Sequence, residues 1–174
     1  MSFPIKMTLG EQSWDFTGDD AKGLSEVSGK VKRDAEEMEA GGAEGETIVL
    51  PMDGMKFDAS VVDAAVACMK ASAWVMTVPK VVTSNDLSKL SLGAPSVELL
   101  QKYSATELHG LFSFAEYLEC NVLRTMCLVK LAAIAFVDPS VETGHTDAQT
   151  RCNLGGMGYD MNVEKQTLAA YPTI

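Results

Sequence analysis

The chain has 174 residues and a mass of 18.6 kDa, enough for one domain with a tail and short of two full domains. Its 14 Lys and Arg against 24 Asp and Glu leave a formal net charge of −10. Nucleic acid is read by clustered Lys and Arg, so this balance argues against such a partner. A chain this long can bury about two thirds of its unfolded surface and needs neither disulfide nor metal to fold.

Cys68, Cys120, Cys127 and Cys152 show no C-x-x-C spacing and read as reduced, mostly buried thiols of a cytosolic or nuclear protein. The opening MSFPIKMTLG lacks the apolar run of a signal peptide. The longest apolar stretch, residues 131–137, is far too short to cross a bilayer. A soluble intracellular protein with no membrane partner is expected.

Acid is concentrated early: residues 1–60 carry a net charge of −7, against −3 over residues 61–174. Much of it lies in residues 34–46, DAEEMEAGGAEGE, which have little to bury and read as a solvated loop. Before that loop, Ile5, Met7 and Leu9 alternate with polar residues, as do Trp14 and Phe16. Two such runs around Gly10-Glu11-Gln12 predict a β-hairpin. Residues 18–33 show only weak helical spacing through Leu24, Val27 and Val31, with Gly23 and Gly29 against it. Thr47 to Leu50 reads as a short buried strand stopped by Pro51.

From there the chain turns helical. Asp58 or Ser60 can cap a helix carrying Val61, Val62, Ala65, Val66, Met69 and Trp74. Residues 75–95 form a connector, with some extended pairing at VMTV, and residues 96–103 a short helix. Ser104 and Glu107 make a capping-box pattern for a helix whose stripe is Leu108, Leu111, Phe112, Ala115 and Leu118. Residues 121–137 are apolar nearly all the way round, with Asn121, Arg124, Thr125 and Lys130 as the clear exceptions. Such a helix must be covered on every side, by the core, the tail or another protein. Residues 147–154 and 161–170 read as two small tail helices.

The residues of catalysis do not assemble. His109 and His145 lie in different elements without a metal-ligand spacing, and no Walker loop, dinucleotide fingerprint or G-x-S-x-G elbow occurs. Gly155-Gly156-Met157-Gly158 lacks the Lys of a phosphate loop and reads as a helix stop. Glu116 and Glu119 read as a wet helix face, and Cys120 and Cys127 as core. No enzyme and no cofactor are expected.

The order of these elements resembles the S-phase kinase-associated (Skp) adaptors, the POZ/BTB-fold subunits of SCF ubiquitin ligases, and elongin C more distantly. IKMTLGEQSWDF is similar to the family's opening strands, TIVLP to its third strand V-x-L-P, and VVDAAVACMKA to the helix that follows. LHGLFSFAEYLEC resembles the signature L-x-x-L-x-x-A-N-Y-L-D-I, and TDAQTRCNL the family's T-P-E-E-I-R-x-x-F-N-I helix. The resemblance implies an α+β, POZ/BTB-like fold over residues 1–137, a small three-stranded sheet packed with helices, and a helical tail over residues 138–174. It implies a non-enzymatic adaptor, working in hetero-oligomers in the cytoplasm or nucleus, that bridges an F-box-type helical protein to a cullin.

Residue by residue, the resemblance puts Glu116 and Tyr117 on the cullin side, with Glu116 standing where the family has Asn. It puts Val122, Leu123, Met126, Leu131, Ile134 and Phe136 on the F-box side or in the core beneath it. Leu154, Leu168 and Tyr171 belong to the clasping tail. A second reading keeps the grip on a partner helix but makes the chain a structural subunit of another large assembly, without a cullin.

Overall fold

The computed structural model describes residues 3–43, 45–104 and 107–135. Three strands, β1 (Ile5–Leu9), β2 (Gln12–Phe16) and β3 (Ile48–Pro51), form one mixed sheet in the order β2-β1-β3. β1 and β2 are the expected hairpin, antiparallel with Ile5 opposite Phe16 and Leu9 opposite Gln12. Gly10 takes the positive φ of the tight turn, and its N–H donates to Asp53 Oδ1 at 2.8 Å. β3 runs parallel to β1, with Ile5 opposite Ile48 and Met7 opposite Leu50. A parallel neighbour needs a crossover, and two helices supply it: α1 (Gly18–Val27) and α2 (Gly29–Gly41).

The second of these corrects the expectation for the acidic segment, because α2 runs through residues 34–41 as helix. The error lay in weighing apolar content alone. DAEEMEA is rich in Ala, Glu and Met, all good helix formers. Ser28 caps the helix by accepting from the Val31 N–H at 3.2 Å, Val31 is buried, and Ala35 and Met38 pack one and two turns on. Gly42, at φ 72°, closes it, so only residues 42–46 of the expected loop, with Thr47, join α2 to β3.

The remaining helices are α3 (Ala59–Ala71), α4 (Ala94–Gln101), α5 (Leu108–Tyr117) and α6 (Asn121–Ala135). Asp58 caps α3, accepting from the Val61 N–H at 3.1 Å. Trp74 lies beyond the end of that helix rather than on it, and residues 75–78 form no strand. The connector holds a single 3-10 turn, Leu87–Lys89. Ser104 and Glu107 form the reciprocal box ahead of α5: the Ser104 N–H donates to Glu107 Oε2 at 2.8 Å and the Glu107 N–H to Ser104 Oγ at 3.4 Å. The chain is therefore α+β, with Ile5, Met7, Phe16 and Leu50 of the sheet joining Val62, Met69, Leu100, Leu111, Phe114 and Met126 of the helices in one core.

Candidate interaction surface

Two surfaces carry the residues singled out above. The first is an open groove of about 590 Å3 between α5 and the turn that joins β3 to α3. Gly54, at φ 80°, makes that turn and presents Met55, 42% exposed, beside Phe112 and Tyr117. Lys56, His109, Ser113 and Glu116 supply the polar rim. α5 brings the four α5 residues near Tyr117 together because positions 109, 112, 113 and 116 lie three and four apart.

Tyr117 is fixed from several directions. Its hydroxyl donates to the Pro51 carbonyl at 2.7 Å, tying α5 to the end of β3. Its ring lies 6.3 Å from that of Phe57, and Lys30 Nζ sits 5.6 Å from the ring centroid. Partial burial pushes the phenol above its ordinary pKa, so the group stays a neutral donor. Glu116 is exposed and accepts from Arg124 Nη1 of α6 at 2.9 Å. The carboxylate is thus engaged with a cation of its own chain, where an amide could have donated outward.

The second surface is the outer side of α6. Leu123 and Met126 are fully buried in the chain's own core, with Cys127, Val129 and Ala133. Val122 and Leu131 are partly buried against it. Leu128 at 51% and Ile134 at 37% are exposed, and with Leu131 between them they step by three along the helix. Leu128 was passed over at the sequence level because a helix apolar on every side gives no signal for which side faces out. Phe136, Leu154, Leu168 and Tyr171, and both expected tail helices, lie outside the described residues.

Among the described residues, no three His, Cys, Asp or Glu side chains come together to hold a metal ion. Cys68, Cys120 and Cys127 are free and buried. Burial pushes each thiol upward, Cys127 to about 12, so the thiolate needed for nucleophilic attack is scarce at neutral pH. No described helix is long and apolar enough to cross a membrane. Neither a scan against family models nor a search of curated proteins finds a match for this chain.

Proposed function

We propose that this chain is a non-enzymatic adaptor of POZ/BTB-like fold that bridges an F-box substrate receptor to a cullin in an SCF-type ubiquitin ligase. The observation that carries this reading is the order of elements. It runs hairpin, two crossover helices, a third strand parallel to the first and ending in Leu50-Pro51, then α3, a long connector, α4, the capped α5 and the apolar α6. The stretches that resemble the Skp adaptors fall on these elements in turn: IKMTLGEQSWDF on the hairpin, TIVLP on β3, VVDAAVACMKA on α3 and LHGLFSFAEYLEC on α5. The groove with Glu116 and Tyr117 is the cullin side, and the strip Leu128, Leu131 and Ile134 is the F-box side.

One observation favours the second reading, a Skp-like structural subunit that holds a partner helix in another large assembly. Glu116, committed to Arg124, offers a partner no hydrogen-bond donor.

The test mixes the full-length protein with an F-box protein and a cullin N-terminal domain and measures each affinity by titration calorimetry. Binding of both at micromolar strength or better is expected. Ile134→Glu should lower F-box affinity at least tenfold with only a small drop in melting temperature, because the position is partly exposed. Absence of binding to any F-box segment at micromolar concentration overturns the adaptor; F-box binding without the cullin selects the structural subunit.

A further inference from the structure

The end of α3 is closed at a cost. Helices commonly stop with a left-handed residue just past the C-cap, usually Gly, because a Cβ disfavours that conformation. Here the closing bonds are present: the Ala73 N–H donates to Lys70 O and the Trp74 N–H to Met69 O, both at 2.9 Å. Yet the left-handed residue is Ala73, at φ 47°, and Trp74 follows it at φ 64°. Two adjacent side-chain-bearing residues held there persist only where surrounding contacts over-determine them.

Those contacts come from one ring. Trp74 packs against Gly23 of α1, so closely that a Cβ on Gly23 would collide with three indole atoms. The indole and the Phe16 ring meet in a T-shaped contact, with centroids 6.2 Å apart and planes at 70°. Lys70 closes the flank, 5.3 Å over the Phe16 ring and 2.7 Å from Asp20 Oδ2. Beyond Trp74 the hold is weak: residues 76–83 make no hydrogen bond, and only Met76, Val78 and Val82 pack against the core. Val75 and Val81, at 75% and 68%, are the most exposed large apolar residues of the described chain.

We propose that Trp74 is a latch with two states. In the latched state the indole in the Gly23 socket holds the left-handed corner and the strap of residues 75–83. In the released state Ala73 and Trp74 return to right-handed φ and α3 extends toward Pro79, since residues 72–78 contain neither Gly nor Pro. Release uncovers Phe16 and the flank of α1 and frees an apolar, valine-rich strap. The strain at Ala73 and Trp74 favours release, and the socket opposes it, so the balance is open to a partner that binds either state.

The experiment uses the full-length protein with Trp14→Phe, which leaves Trp74 as the sole tryptophan. Acrylamide quenching of Trp74 and the rate of native-state trypsin cleavage after Lys80 are followed. Gly23→Ala should speed cleavage at least tenfold and raise quenching. This direction is diagnostic, because Ala for Gly inside a helix otherwise stabilises. Ala73→Gly should slow cleavage several-fold, because it removes the Cβ that strains the latched state. Wild-type rates in both variants, or slower cleavage in Gly23→Ala, overturn the latch. Should Gly23→Ala lose its cooperative melt, Trp74→Ala takes its place: fast cleavage with a cooperative melt supports the latch, and a wild-type rate overturns it.

Discussion

α3 and α5 end with the same pair of closing hydrogen bonds and opposite support. Past α5 the left-handed residue is Glu119, at φ 53°, with the Glu119 N–H donating to Glu116 O at 3.0 Å and the Cys120 N–H to Ala115 O at 2.9 Å. Past α3 it is Ala73 followed by Trp74. Neither helix uses the glycine that closes α2. At α5 the strain is offset by docking another helix end on to it. The Gly29 and Lys30 amides at the start of α2 donate to the Glu119 and Leu118 carbonyls, each at 3.3 Å. Ser28 Oγ donates to the Leu118 carbonyl at 2.6 Å, and Arg33 grips both Glu119 oxygens at 2.9 and 2.6 Å. Amides lacking partners at one helix start thus meet carbonyls lacking partners at another helix end, the positive end of one dipole at the negative end of the other. Opening that junction would orphan several polar groups at once, one of them on the buried Ser28. Opening the α3 end exposes mainly apolar surface, since an extended α3 re-pairs the Ala73 and Trp74 amides one residue over and the Lys70–Asp20 pair is already partly exposed. Similar strain therefore sits at a junction that stays closed and at one that can be released.

The largest effect should come from Ser28→Ala. The hydroxyl serves two buried partners, accepting from Val31 N–H and donating to Leu118 O. Loss of a helix cap and of a buried hydrogen bond together should cost about 2–3 kcal/mol. In a chain of this size that lowers the melting temperature by roughly 5–10 °C. Urea titration reads the loss directly. A change under about 0.5 kcal/mol, the ordinary range of surface substitutions, would show that the polar junction contributes little and would dissolve the contrast with α3.

Gly29→Ala should follow, at about 1 kcal/mol destabilising, although Ala is the better helix former. A Cβ there would lie 3.1 Å from Glu119 Oε2 and 3.2 Å from Glu119 Cβ. A double-mutant cycle sharpens the point: in a Glu119→Gly background, which removes both crowding atoms, the penalty should largely vanish. If the penalty is additive, the crowding lies elsewhere.

How much of this was legible depends on the range of the contact involved. The hairpin, the Asp58 cap and the Ser104–Glu107 box are signals a few residues long, readable from period or capping chemistry; β3 was readable from its apolar run, although Val49 is exposed and Pro51 belongs to the strand. Val31 was legible on a weak helix over residues 18–33, but the break at Ser28 and the run of α2 through residues 34–41 were not, because that run holds no fully buried residue and rests on helix propensity. The groove was half legible: Glu116 and Tyr117 were marked by resemblance, while Met55 and Lys56 reach it from a turn some sixty residues earlier. The Gly23 socket was invisible for the same reason. Gly23 looked like an argument against a helix, when it is the helical position that admits Trp74. Long-range complementarity leaves no local period to read.

The smallest effect concerns acid, and its sign is fixed by the same junction. Hydrogen bonding to the Arg33 guanidinium holds Glu119 below the usual carboxylate range. The Ser104 N–H and hydroxyl do so for Glu107, and the Ser60 hydroxyl and Val61 N–H for Asp58. A carboxylate whose folded pKa is depressed contributes fully above its unfolded value, and the contribution fades as pH falls through the folded one. Stability should therefore hold from neutrality to about pH 5 and decline below it, toward about pH 3. Glu119→Gln should flatten that decline only slightly, because the Arg33 and Glu119 side chains are each about half exposed and solvent screens them. Sodium chloride at high concentration should act slightly differently on the wild type and the variant, the small difference being the screened Arg33–Glu119 pair. An undiminished acid slope in Glu119→Gln would place the acid response with the helix caps at Asp58 and Glu107. The closed junction at α5 would then owe its strength to Ser28 and the backbone alone.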